Sequence, residues 1–216
     1  MDGFDQGLIE RYLDRLIEEN EKTNVTRITD RDEAMLLHVE DSLVALPEVQ
    51  DAPAGDYADL GSGGGFPGIP LALATGRQTL LVDSVAKKMQ LVQGIVQELG
   101  VGNVSVFAGR IEDLARQRPE SFSVVTARAL AQLSVLMELA SPLLSEGGRL
   151  VCYKANPSEE ELQHGLSLQE KTGMWLVSQR KLDLREHART ILVFEKKGKP
   201  LLKLPRKTGF AQKKPL

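Results

Sequence analysis

The residues best suited to chemistry lie in one stretch, Tyr57 to Gly68, reading YADLGSGGGFPG. Gly61, Gly63, Gly64, Gly65 and Gly68 fall within eight residues of it. A backbone without Cβ can turn tightly and let a ligand come close. An apolar run ending in Asp59 and Leu60 precedes these glycines, and Pro67 with the IPLALA run from Ile69 to Ala74 follows them. Proline suits a first helical turn. A strand, a glycine turn and a helix start form the nucleoside-binding corner of an open α/β sheet. A second apolar run, Leu80 to Val82, ends in Asp83, 22 residues after Gly61. A carboxylate at that spacing is placed to accept the ribose hydroxyls of an adenosine.

Two cofactor chemistries fit these residues. Gly63, Gly65 and Gly68 satisfy the G-x-G-x-x-G pattern of a dinucleotide site. Gly61 begins another pattern, an acid and an apolar residue followed by G-x-G-x-G. Asp59 distinguishes the two. Its carboxylate attracts the sulfonium and ammonium of S-adenosylmethionine and repels a pyrophosphate. The other role open to Asp59 is to accept hydrogen bonds and stiffen the glycine turn.

The elements that must hold these groups follow from periodicity. Leu8, Ile9, Tyr12, Leu13, Leu16 and Ile17 make one helical stripe, and Asp30 to Pro47 reads as a second helix, capped by Asp30 and Glu33 and stopped at Pro47. Strands are predicted at Tyr57–Leu60, Thr79–Asp83, Asn103–Phe107, Ser121–Thr126 and Arg149–Lys154, with two adjacent strands at Trp175–Leu184 and Thr190–Lys196. Helices are predicted between them at Ala86–Leu99, Ile111–Arg116, Gln132–Leu144 and Ser158–Lys171. Regular alternation implies parallel strands with helices on both faces. The expected class is α/β, a doubly wound Rossmann-like, seven-stranded, mostly parallel sheet with an N-terminal helical extension. The division is 1–48 for the extension, 49–197 for the Rossmann-like unit and 198–216 for a C-terminal tail, within one structural domain. Ligands bind outside the carboxyl ends of such strands. The loops at Gly61, Asp83, Gly109–Asp113 and Ala127–Ala129 are therefore the candidate site.

Composition limits the function classes. The 216 residues suffice for one sizeable core, and 42% hydrophobic with 26% charged residues describes a soluble globular chain. The single cysteine, Cys152, allows no internal disulfide and fits a reducing cytoplasm. It is expected to be buried, as free cysteine commonly is. The N-terminus has no secretory pattern, and no apolar run reaches membrane-helix length. The net charge of −3 hides an asymmetry. From Lys196 onward there are eight cations and no acid, Lys203, Arg206 and Lys207 among them, on an otherwise acidic body. Such a tail suits a polyanion such as RNA; a solvated, disordered tail is the other reading.

Motifs spread along nearly the whole chain resemble the RsmG (GidB) rRNA methyltransferases. They are NVT at Asn24–Thr26, HVEDSL at His38–Leu43, ADLGSGGGFPGIPLA at Ala58–Ala72 and VDSVAKK at Val82–Lys88. GRIEDL at Gly109–Leu114, TARALA at Thr126–Ala131 and PRKTG at Pro205–Gly209 complete the set. The glycine loop running into FPGIPLA and the RA pair after strand four are specific together. The resemblance implies S-adenosyl-L-methionine-dependent methylation of N7 of a guanosine in 16S rRNA, on the naked RNA or a small ribosomal subunit precursor. It implies cofactor contacts at Gly61, Phe66, Ile111, Glu112 and Arg128, beside Asp83 read from spacing. Phe66 would offer an apolar wall, Ile111 would pack the adenine, and Arg128 would meet either the methionine carboxylate or an RNA phosphate. RNA contacts are expected at Lys203, Arg206 and Lys207. Glu19 stands where the family carries tryptophan, and NVT replaces NLT. His38 and Asp41, one helical turn apart, are expected either to bind RNA, to close over the cofactor, or to pack the helix.

Guanine N7 carries a lone pair and no proton, so this reaction needs no general base, and Arg128 enters only as a positioning group. No metal is called for. The expected chain is a cytoplasmic monomer without membrane contact. The alternatives are an NAD(P)-linked oxidoreductase and a non-catalytic RNA-binding module.

Overall fold

The computed structural model describes residues 5–23, 28 and 30–216; the NVT motif lies outside them. Helix α1 spans Gln6–Thr23. Its apolar stripe buries Ile9, Tyr12, Leu13 and Leu16 completely. Asp30 caps α2, Arg31–Ala34, by accepting the Glu33 amide. The expected single helix to Pro47 is broken into pieces. A π-helical turn, Met35–Glu40, follows α2, then α3, Asp41–Leu43, and α4, Leu46–Gln50. Pro47 opens α4 rather than stopping a helix, because its missing N–H costs nothing in a first turn.

The sheet then alternates with helices. Strand β1 is Tyr57–Leu60, α5 Gly68–Thr75, β2 Thr79–Asp83, α6 Ala86–Glu98 and β3 Val104–Ala108. Next come α7 Ile111–Gln117, β4 Phe122–Arg128, α8 Leu133–Ala140, β5 Leu144–Lys154, α9 Glu159–Ser167 and α10 Gln169–Thr172. A hairpin of β6 Met174–Leu184 and β7 His187–Lys196 precedes a last turn of helix, α11 Phe210–Lys213. Helix α8 ends before Pro142, which lies outside it rather than within its last turn. Strand β4 runs two residues further than its apolar pattern suggests, so Arg128 belongs to the strand end.

The seven strands lie in the order β3-β2-β1-β4-β5-β7-β6. Strands β1 to β5 pair in parallel, and only β7 runs antiparallel to its neighbours. Strand order reverses between β1 and β4, which makes their carboxyl ends the switch point of a doubly wound fold.

Alternation along the strands sorts the core into two faces. Ala58, Leu60, Leu80, Val82, Val125 and Cys152 face α7, α8 and α9. Leu81 faces α1, α5 and α6, while Tyr57, Val124, Val151 and Ile191 pack on Ala45 and Val49 beside α4. Cys152 is fully buried, and burial pushes its thiol up to about 12. Among the described residues, no helix is long and apolar enough to cross a membrane.

The basic tail is a folded part of this unit. Lys196 is buried, its Nζ 2.8 Å from Glu120 and 2.7 Å from the Leu144 carbonyl. Arg206 forks onto the buried carboxylate of Glu138, with its Nε 2.6 Å from Oε1, and lies over the Phe210 ring. Thr208 Oγ1 donates to Asp113, and Ala211 is buried. Neither a solvated arm nor a disordered tail describes this segment.

Candidate active site

The glycine turn is fixed from below by β2 and from inside by Asp59. The amides of Gly61 and Ser62 both donate to the Val82 carbonyl, at 2.8 and 3.1 Å. Gly61 has φ +72°, a conformation other residues rarely adopt. Asp59 is fully buried. Its Oδ2 accepts the Gly68 amide at 3.0 Å, and its Oδ1 accepts Thr126 Oγ1 at 2.7 Å. Thr126 in turn lies 2.7 Å from the Tyr57 hydroxyl. Burial pushes the Asp59 carboxyl up, while the Thr126 and Gly68 hydrogen bonds pull it down. Of the two roles open to Asp59, stiffening the turn is the one the geometry supports, since the carboxyl is fully buried and both its oxygens accept hydrogen bonds from the protein.

Asp83 stands at the end of β2 beside this turn. Its Oδ2 accepts the Gly63 amide at 3.0 Å and its Oδ1 the Val85 amide at 2.8 Å. Each oxygen has a second lone pair, so ribose hydroxyls still have acceptors there. Gly61, Asp83, Gly109, Ile111 and Glu112 line a single cavity together with Leu130 and Gln212. Four of the six expected cofactor residues thus meet in one place. In kind they suit an adenosine: a carboxylate at the ribose, the apolar Ile111, and a helix start whose first amides have no intrahelical acceptor. In size they do not yet. The cavity holds about 60 Å³, against roughly 300 Å³ or more for ordinary ligand pockets. Leu130 and Gln212 are among the side chains that bound it.

Glu112 is buried and its Oε1 accepts the Gly209 amide at 2.6 Å. Arg110 donates to Gln212, and Arg116 to the Arg206 carbonyl and to Thr208. The C-terminal segment therefore closes one side of the cavity, and the Glu112 side chain holds it there. Of the three tail cations expected to meet RNA, Arg206 is committed to Glu138, whereas Lys203 and Lys207 are exposed.

Phe66 and Arg128 stand apart from this cavity. The Phe66 ring is buried, stacked on His38 at 4.8 Å between centroids and edge-on to Tyr12 at 5.9 Å. It is a wall of the N-terminal helical layer and not of the adenosine cavity. Arg128 Nη1 donates to the Leu37 carbonyl at 2.9 Å and to Asp41 Oδ2 at 2.8 Å. Asp41 Oδ1 accepts Arg189 Nε at 2.6 Å. The helical extension is thereby tied to the ends of β4 and to β7. Burial, with the Arg128 charge beside it, lowers His38 to about 4.

This cluster borders a second cavity of about 440 Å³. The turn after β4 separates the two: Leu130 faces the first cavity, Ala129 and Ala131 the second. Ala129 has φ +52°, unusual for a residue with a Cβ. Sequence patterns gave no sign of Tyr12, whose hydroxyl donates to the Gly64 carbonyl at 3.0 Å, or of Arg189 and Glu138. Tyr12 read only as part of a helical stripe, and no pattern singled out the two charges.

The sequence matches the family described as rRNA small subunit methyltransferase G over residues 5–187. A protein of Desulfitobacterium hafniense named ribosomal RNA small subunit methyltransferase G is 39% identical, over 95% of this chain and 87% of its own length. One of the same name from Carboxydothermus hydrogenoformans is 37% identical, over 97% and 91%. Among solved structures, a geranyl diphosphate methyltransferase bound to GPP and sinefungin superposes with TM-score 0.58 at 13% identity, covering 73% of this chain and 78% of the other. That likeness speaks for the fold alone. With a match across most of the chain and relatives this similar over nearly their full lengths, the chain belongs to the rRNA small subunit methyltransferase G family.

Proposed function

We propose that the chain transfers the methyl group of S-adenosylmethionine to N7 of a guanosine in small-subunit (16S) rRNA, acting as a cytoplasmic monomer. The observation that carries this reading over a dinucleotide enzyme is the Asp59–Gly68 hydrogen bond. In a dinucleotide site the first amides of the helix after the glycine turn hold the pyrophosphate. Here the Gly68 amide, the first of α5, is already bound to a buried carboxyl group. A pyrophosphate would lose that donor. Family membership and the names of the relatives support rRNA as the substrate.

The cofactor supplies a methyl group on a sulfonium. Asp83 accepts the ribose hydroxyls, Ile111 and the start of α7 take the adenine, and Gly61 leaves the backbone open beneath it. Gln212 and Leu130 move aside as the adenosine enters. Phe66 acts indirectly, by fixing the turn from below through Tyr12 and His38. Arg128 stands at the other side of the β4 turn, where its Nε and Nη2 remain as donors to the methionine carboxylate. No residue need remove a proton, since N7 has none; the task is orientation within near-attack distance. Lys203 and Lys207 take RNA phosphates, whereas Arg206 holds the segment that presents them.

The test is incubation of the purified chain with methyl-labelled S-adenosylmethionine and small-subunit rRNA, then mapping of the labelled nucleotide. Label at a guanine N7 is expected. Calorimetry with S-adenosylmethionine and with NAD decides the cofactor, and affinity for NAD alone would overturn the reading. An RNA-binding module without activity would bind rRNA and incorporate no label.

A further inference from the structure

The second cavity lies across the β4 turn from the adenosine cavity, and it has the size the first one lacks. About 440 Å³ is within the roughly 300–1,000 Å³ of ligand pockets. Its polar lining is cationic but tethered. Asp41 spans Arg128 and Arg189. Lys154 Nζ is held by the Ala131 carbonyl at 2.9 Å and by Glu161 at 2.5 Å. Arg189 uses Nε on Asp41 and Nη1 on its own Ala188 carbonyl, leaving Nη2 without a partner among the described residues. One proton of the Lys154 ammonium is likewise left.

The chemistry of N7 transfer bears on these tethers. An arginine fork spanning O6 and N7 is the commonest way a protein reads guanine. Here it would occupy the lone pair that must take the methyl group. Asp41 takes the Nε of Arg189 and so breaks its Nε–Nη2 fork; of Arg128 it takes only Nη1. What Arg189 and Lys154 still offer are single, separated donors, which match a phosphate better than a base edge, while the Nε and Nη2 of Arg128 are assigned above to the methionine carboxylate.

We propose that this second cavity receives the target nucleotide, unstacked from its RNA, with Arg189 and Lys154 taking its phosphate and Asp41 keeping the Arg189 fork off N7. Taking a base out of its stack is how enzymes that modify bases reach them. The ligand class is a purine 5′-phosphate with a free N7. The inference rests on the methyltransferase reading above and names the acceptor subsite for it. Arg189 and Lys154 are binding groups, and Asp41 is a positioning residue.

Ala155 gives access to a test, because it lines this cavity from an exposed position after β5. Ala155→Trp fills the cavity without disturbing the core, which an unchanged unfolding midpoint confirms. Calorimetry with S-adenosylmethionine, filter binding of small-subunit rRNA and label transfer are then compared with the unaltered chain. Cofactor affinity should stay within about two-fold while methyl transfer falls at least ~100-fold, the scale of an acceptor held out of line. Transfer at the unaltered rate, or a loss of cofactor affinity parallel to the loss of transfer, would overturn the assignment. If the unaltered chain itself transfers no label, the methyltransferase reading fails instead. Should Ala155→Trp lower the midpoint, Arg189→Gln replaces it: a rise in KM for rRNA at unchanged cofactor affinity supports the site, and unchanged KM refutes it.

Discussion

The smaller cavity, at the carboxyl ends of β1 and β2, has two walls made in opposite ways. The glycine corner, residues 57–68, is held by short-range geometry. Loop amides bond to Val82, Asp59 reaches nine residues to Gly68, and small atoms meet at close range. The C-terminal segment, residues 205–216, is held by charge across long separations in the chain: Arg206 to Glu138, Gly209 to Glu112, Thr208 to Asp113. The corner cannot move without unfolding a strand–helix unit. The segment can lift by exchanging these polar contacts for water and uncovering Ala211. A cavity of about 60 Å³ therefore has one wall fixed by the fold and one held by exchangeable contacts.

The largest expected effect tests the rigid wall. A Cβ on Gly68 would stand 2.2 Å from Leu81 Cδ2 and 2.9 Å from Asp59 Oδ2. Gly68→Ala must push apart β2 and α5 and strain the Asp59 hydrogen bond. Overpacking and a weakened buried hydrogen bond together should cost about 4 kcal/mol, read as a lower urea midpoint at unchanged m. A loss under about 1 kcal/mol would mean that the corner yields and that the contrast between the walls is false.

The compliant wall is tested by Arg206→Ala. Glu138 is 2% exposed. Left buried without its partner, it would destabilise the docked state by on the order of 3 kcal/mol. Because the segment is terminal, undocking it lets water reach Glu138 and limits the cost to the protein as a whole. The expected result is fast amide exchange at Gly209 and Phe210 with a nearly unchanged urea midpoint. Protected amides there would place the segment among the rigid parts. A truncation meant to remove the tail should begin after Pro205 and keep Lys196, which is part of the folded interior.

The same division explains what could be read in the sequence. Strand β2 matches its apolar run at both ends, and the glycine corner lies where the pattern puts it, since both are written in neighbouring residues. Asp83, Gly61, Ile111 and Glu112 meet because a doubly wound sheet brings strand ends together, so topology carried them. Arg206 read as an RNA contact because nothing local distinguishes it from Lys207; its partner lies 68 residues away. Phe66 read as a ligand wall because it belongs to the glycine turn expected to cradle one. Its ring instead points into the layer formed by Tyr12 and His38, which no local pattern encodes. The π-turn at Met35–Glu40 was hidden for a related reason: its hydrogen bonds skip one residue further while composition stays helical.

A third prediction concerns pH at the rigid wall. His38 titrates near 4 in the folded chain, against 6.5 for the free side chain, because burial and Arg128 disfavour its charge. The unfolded chain therefore binds this proton first. Its contribution to stability is complete above pH 6.5 and is lost as pH falls toward 4. For a partly exposed ring the loss should be about 2 kcal/mol. Asp59, raised by burial, acts with the opposite sign in acid. The readout is thus the difference between the native chain and His38→Phe, which keeps the stack on Phe66. That difference should shrink steadily from pH 6.5 to 4, and a constant offset would refute it.

The smallest effect isolates what the corner glycines do. Gly94 lies within α6, exposed, and a Cβ there would meet nothing within 4 Å. Gly94→Ala is the same chemical change as Gly68→Ala, in a helix instead of against Leu81 and Asp59. It removes backbone freedom from the unfolded chain and adds no clash, so it should stabilise by about 0.5–1 kcal/mol. Urea midpoints of the two variants then move in opposite directions. If both fell, helix propensity and local backbone effects would not separate the two sites, and the cost at Gly68 could not be assigned to the contact with Leu81 and Asp59. Opposite signs tie that cost to the corner's packing, the property that lets it keep its shape while the other wall opens.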